Sequence, residues 1–135
     1  MNLLEWDEKF SVGVNLIDGQ HKKLFEMANE YYNAFNRGFS ENAIERLLDG
    51  LLNYVAVHFG TEERYFAEYG YEDTKAHKRE HQIIVLKVKD LVNKWQKREN
   101  PAEEEVSKFL KIWLEQHIMD TDHKYMECFH KHGLR

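Results

Sequence analysis

The chain has 135 residues, a formal net charge of −5 and a single cysteine, Cys128. That length suits one domain with its own core and is too short for two, and the negative charge argues against a phosphate-binding surface, so nucleic acid is not an expected partner. One cysteine excludes an internal disulfide and a thiolate metal cluster, and the opening stretch from Met1 to Phe10 has no apolar run for a signal peptide or membrane span, so a cytoplasmic location is expected.

Residues 1–17 carry Trp6, Phe10, Val12, Val14 and Ile17 without a sustained helical period, and are read as an ordered arm. Asp18 is the expected N-cap of a first helix whose interior stripe runs Ile17, His21, Leu24, Phe25, Ala28, Tyr31, Tyr32 and Phe35, ending near Gly38. Ser40 caps a second helix, with Ile44, Leu47, Leu48, Leu51, Leu52, Val55, His58, Phe59 and Glu62 on one stripe and a stop at Tyr69 and Gly70. A third begins near Asp73 and Thr74, and its stripe of His77, His81, Ile84, Val88, Leu91 and Trp95 has the alternating spacing of a left-handed bundle seam. Lys94, Lys97 and Arg98 at its end read as a solvated helix terminus. Asn100 and Pro101 open a fourth helix carrying Val106, Leu110, Trp113 and His117. The fold class is therefore all-α, an up-down-up-down four-helix bundle over about 18–130 behind the arm 1–17, with 1–135 as one domain.

His21, His58, His77, His81 and His117 all fall on interior stripes, drawn from four helices. Residues four apart on a helix differ by about 40° around its axis, so His58 with Glu62, and His77 with His81, each share a face. A polar group facing a core loses its water and needs a partner; one such histidine is ordinarily a satisfied core residue, but five converging on one interior point to metal. His123, His130 and His132, near the C-terminus, are read as solvent-exposed and not as ligands. Five imidazoles with one or two carboxylates exceed what a tetrahedral zinc needs and suit two octahedral first-row ions. If Glu62 and an acidic residue after His117 bridge both ions, and a water-derived oxygen does too, one coordination position of twelve stays open, as dioxygen binding on iron requires. Spacing alone chooses Asp120 as that acidic residue, because Asp122 lies about 140° from His117 on a regular helix.

These motifs, His21-Lys-Lys-Leu-Phe25, His58 with Glu62, His77 with His81, and His117-Ile118 with Asp122, together with Val12-Gly13-Val14 and Ile17-Asp18-Gly19-Gln20, closely resemble the hemerythrin family over nearly the whole chain, above all its single-domain bacterial members. The resemblance implies two iron ions, one held by His77, His81 and His117 and the other by His21 and His58, bridged by Glu62, Asp122 and an oxo or hydroxo group. It chooses Asp122 over Asp120, which requires a π-type bulge near residues 118–121. It also implies reversible dioxygen binding by a carrier and not an enzyme, with oxygen stored or passed to an oxygen-consuming enzyme.

Such chemistry needs a dry apolar pocket, for which Phe25, Trp113, Leu114 and Ile118 are the expected wall; Tyr65 and Tyr125 are possible hydrogen-bond donors to ligand carboxylates. A monomer is expected. A di-iron oxidase or iron-handling protein, and an oxygen or redox sensor, are the alternatives. His77-Lys-Arg-Glu80-His81 also matches the pattern of inverted zinc peptidases, but that leaves His21, His58 and His117 unexplained, and Glu80 is read as a surface residue.

Overall fold

The computed structural model describes residues 4–38, 40–97 and 102–135, with the side chains of 35, 40–43, 102–104 and 113–115 outside that description. A 3-10 turn, Glu8–Phe10, precedes α1 (Asn15–Asn36), α2 (Ser40–Tyr69), α3 (Thr74–Gln96) and α4 (Ala102–Trp113). The chain then runs without a break through a π-helical segment, Leu114–Thr121, and a 3-10 turn, Asp122–Tyr125, into α5 (Met126–Lys131). Consecutive long helices pack on one another, giving the up-down-up-down bundle, and Tyr31 and Ser107 meet at 3.4 Å between α1 and α4. No helix among the described residues is long and apolar enough to cross a membrane.

The first helix starts a turn earlier than Asp18, which corrects both its expected cap and the arm boundary at residue 17. Asp18 instead reaches back from the first turn, accepting Val12 N–H at 2.8 Å and the Ser11 hydroxyl at 2.5 Å. Those donors are satisfied outside the helix, so α1 can begin at Asn15 while the carboxylate still sits at the positive end of the helix dipole. The second helix ends as expected, with Gly70 at φ 64° in the left-handed region. Asp73 precedes α3 but makes no side-chain cap. Arg98, Asn100 and Pro101 lie outside the described residues; Lys94 is held by Glu105 of α4 at 3.0 Å, so this basic group is in part a helix-to-helix contact.

The interior has three layers along the bundle axis. At one end Ile44, Leu48, Leu51, Val88, Leu91, Val106 and Leu110 are buried among one another. At the other end the cluster of Val12, Val14, Ile17, Phe66, Tyr71, Tyr125 and Phe129 joins the arm to α2, the last 3-10 turn and α5. Seven polar or charged side chains, His21, His58, Glu62, His77, His81, His117 and Asp122, are also buried, at 0–2% exposure. They form the layer between.

The C-terminal stretch is ordered, which corrects its reading as solvent-exposed. His130 is half-buried and its Nε2 donates to Gly13 C=O at 2.8 Å, His123 donates through Nδ1 to Ile118 C=O at 2.7 Å, and only His132 is exposed. Gly13 stands at φ 71°, and a Cβ there would lie 2.4 Å from His130 Nε2. Only glycine lets the arm come this close to α5.

Candidate metal centre

Each donor reaches the interior because its helix carries it there on the same stripe as its aliphatic neighbours. One turn separates His58 from Glu62 on α2, and one turn separates His77 from His81 on α3. His117 and Asp122 are five apart and meet because the segment between them is π-helical, where i→i+5 bonding brings residues at that spacing onto one face. The bulge expected at 118–121 is thus a longer run, Leu114–Thr121. Asp120, which regular helical spacing selects, is exposed, whereas Asp122 is 0% exposed.

The ring nitrogens and carboxylate oxygens fall into two groups, each with its donor atoms within 4.8 Å of one another. One comprises His77, His81, His117, Glu62 and Asp122; the other comprises His21, His58, Glu62 and Asp122. The closest approaches are His77 Nε2 and His117 Nε2 to Asp122 Oδ1 at 3.0 Å, His81 Nε2 to Glu62 Oε1 at 3.1 Å, and His21 Nε2 to Asp122 Oδ2 at 3.2 Å. His21 and His58 stand Nε2 to Nε2 at 3.1 Å.

Proximity here is not satisfaction. Nε2 of His77 and His81, Oε1 of Glu62 and both carboxylate oxygens of Asp122 are buried and lack a hydrogen bond of acceptable geometry among the described residues. A buried polar atom without a partner costs roughly 1–3 kcal/mol. Several that face the same two points are what coordination to cations would satisfy, and nitrogen with oxygen is the donor chemistry of first-row metals.

Three of the five outward nitrogens are held in place. His81 Nδ1 bonds Glu63 Oε2 at 2.8 Å, His117 Nδ1 bonds Glu80 Oε1 at 2.8 Å, and His58 Nδ1 bonds Gln20 Oε1 at 2.6 Å. Such bonds fix ring orientation and tautomer, leaving Nε2 to face inward. Glu80 also accepts the Thr121 hydroxyl at 2.9 Å, so it is neither a free surface residue nor placed as a peptidase's base. Sequence reading missed Gln20, Glu63 and Glu80 as supports. Glu63 follows Glu62, and Glu80 precedes His81, so each neighbours a donor, but on a helix that adjacency points it away from the donor's own face and no stripe singles it out.

Of the two tyrosines considered, Tyr125 donates to Glu62 Oε2 at 2.5 Å, whereas Tyr65 stacks on Tyr69 and makes no described contact with the donors. Phe25 and Ile118 are buried in the apolar core, and Phe59 stacks on the His81 ring at 3.8 Å between centroids. The side chains of Trp113 and Leu114, the other expected wall residues, lie outside the described ones.

Charge follows this geometry. Burial pushes His58 down to about 4, so it is neutral at pH 7. Burial also opposes charge on His117, but Asp122, Glu80 and Glu62 outweigh it and raise the imidazole to about 10. Burial and Asp122 push Glu62 upward, yet the histidines His58 and His81 hold it below the usual carboxylate range. The bond from His117 holds Glu80 low as well.

A family model described as the hemerythrin HHE cation binding domain matches residues 12–129. The bacteriohemerythrin of Methylococcus capsulatus is 34% identical over 129 residues, spanning 95% of this chain and 98% of that protein. That of Clostridium acetobutylicum is 30% identical over 126 residues, spanning 90% and 98%. A hemerythrin-like protein of Naegleria gruberi is 38% identical over 120 residues, spanning 89% and 88%. Among solved structures, wild-type hemerythrin superposes with a TM-score of 0.80 at 34% identity, covering 93% of this chain and 97% of that one.

Proposed function

The chain belongs to the hemerythrin family, and from that membership we propose that its donor layer holds two iron ions and binds dioxygen reversibly, storing it or delivering it to oxygen-consuming enzymes. The observation that carries this reading is the inequality of the two donor groups. Both share Glu62 and Asp122, but one adds three imidazoles and the other adds two. With a shared oxygen from water, the three-imidazole group would offer six donors to an octahedral ion and the two-imidazole group only five. That shortfall is where a small ligand has room.

The chemistry that iron held by these donors would supply is reversible electron transfer to dioxygen. The chain's own part is to position and to exclude. Glu63 and Glu80 keep the Nε2 atoms of His81 and His117 turned inward, and Tyr125 fixes Glu62 through its second oxygen. Phe59, stacked on the His81 ring, and the buried Phe25 and Ile118, one turn from His21 and next to His117 in the chain, neither donate nor carry protons. A dry surround of this kind limits the protonation that would convert reversible binding into turnover.

Metal analysis of the iron-reconstituted protein is expected to give two irons per chain. Absorption spectra of the reduced protein should gain a band on exposure to air and lose it when oxygen is removed. Steady consumption of dioxygen with an added reductant, with peroxide or an oxidised product released at every cycle, would replace the carrier with a di-iron oxidase.

A further inference from the structure

The two halves of the donor layer differ in a second way, at the outward face of their imidazoles. In the three-imidazole half, His81 and His117 each bond a carboxylate, Glu63 and Glu80, at 2.8 Å. In the two-imidazole half, His58 bonds the neutral amide of Gln20 at 2.6 Å; His21 Nδ1, like His77 Nδ1 in the other half, is buried with no hydrogen-bond partner among the described residues. A carboxylate draws the Nδ1 proton strongly and makes the ring a more basic ligand, whereas an amide oxygen does so weakly.

The amide is not free to turn. Thr61 donates its hydroxyl to Val57 C=O at 3.0 Å, which leaves Thr61 Oγ1 to accept from Gln20 Nε2 at 3.2 Å. The carbonyl oxygen of the amide is therefore the atom presented to His58, and it accepts from Nδ1–H. Tyr54 closes the support: its ring stacks on His58 with centroids 5.5 Å apart and planes 20° apart, and its hydroxyl donates to the backbone carbonyl of Gln20. This relay fixes the tautomer of His58 with its Nε2 lone pair facing the donor layer.

We propose that Gln20 is a positioning residue that keeps His58 a weaker electron donor than His81 and His117, and so holds the two-imidazole half of the centre within reach of its reduced state. The inference rests on the di-iron reading above and assigns a cause to the direction in which the centre is poised. A stronger donor stabilises the more highly charged oxidised metal over the reduced one, so a carboxylate at position 20 would favour the oxidised protein. Reversible carriage needs the opposite bias on the side where the small ligand has room.

The test uses the full chain loaded with iron, and again with zinc, in wild type, Gln20→Glu, Gln20→Met and Glu63→Gln. Gln20→Glu keeps the length and the acceptor and adds the charge. At one fixed applied potential it is expected to raise the oxidised-to-reduced ratio about tenfold. Glu63→Gln should lower that ratio, and Gln20→Met, which removes the acceptor, should lower it too. In the zinc-loaded protein, nitrogen-15 NMR should show the His58 Nδ1 proton moving downfield in Gln20→Glu and upfield in Gln20→Met. A purely structural role predicts shifts of the same sign in Gln20→Glu and Gln20→Met, or iron loss without a change in ratio, and either result overturns the proposal. So does an unmoved His58 resonance. If wild type shows no reversible oxygen band while the Gln20 variants still shift the ratio in opposite senses, the carrier reading fails and this inference stands.

Discussion

The aliphatic end of the bundle and its donor layer are made from the same helices by the same spacing, yet only one of them is self-sufficient. On α3, His77 and His81 continue into Ile84, Val88 and Leu91 without a change of face, and all five are buried. In the aliphatic end each side chain is completed by its neighbours, worth roughly 1.5–3 kcal/mol for a fully buried large residue. In the donor layer neighbours bring atoms close without completing them: Asp122 lies 3.0 Å from two imidazoles, and both its oxygens lack a hydrogen bond of good geometry among the described residues. Periodicity decides which positions face inward. Whether the interior then holds by itself is decided by side-chain chemistry.

Removing the metal should separate the two regions most sharply. Cations that bind only the folded state at a thousandfold over their dissociation constant add about 4 kcal/mol, so chelation should lower the melting temperature while circular dichroism keeps most of its helix signal. Equal stability of loaded and stripped protein would put the donor layer on the same footing as the aliphatic end.

Leu51→Ala addresses the other side of the comparison. Leu51 is 0% exposed in the aliphatic end, and truncation should cost about 3 kcal/mol, by the same amount with and without metal, leaving metal content unchanged. Denaturant melts of both forms check this, and a cost confined to the loaded protein would mean that the layers are coupled.

Acidity gives a gentler handle. His117 is raised from 6.5 to about 10 in the metal-free protein, so the folded state holds a proton that the unfolded state gives up. That contribution is complete below pH 6.5 and is lost as pH rises towards 10, at no more than about 1.4 kcal/mol per pH unit. Melts of stripped wild type and His117→Gln between pH 7 and 9 should diverge in slope. Loading zinc at pH 8 in weak buffer should release that proton, and no release would mean that His117 is already neutral.

The smallest effect is expected from His130→Ala, which breaks the bond to Gly13 C=O and should cost about 1 kcal/mol without removing metal. Metal analysis that shows loss would bring His130 into the donor layer's support.

The seam was legible because apolar residues and donors obey one spacing, and the five histidines announced themselves by occupying it. Asp122 was not legible from spacing, since its place depends on π-helical bonding that no residue type between His117 and Asp122 enforces. It came only with the resemblance. Asp18 misled because a carboxylate at a helix start reads alike whether it caps forward or reaches back. Gln20, Glu63 and Glu80 were invisible because their role depends on which helix face meets which neighbour, and that is fixed only when the bundle closes. The same is true of His130, whose partner is 117 residues away in sequence.

The π-helical stretch has a consequence for how the chain tolerates changes in length. Were one residue missing between His117 and Asp122, the two would stand four apart, a spacing that a plain α-helix already places on one face. The stretch therefore accommodates a surplus residue, and Asp120, exposed to solvent, is where the surplus contributes least. Deleting Asp120 should let the segment wind as an ordinary helix, with Tyr125 and Phe129 keeping their register to Asp122 and metal content retained. The same deletion at Ile84, where α3 is regular, would turn everything beyond it by about 100° and take the aliphatic seam of α3 out of the core.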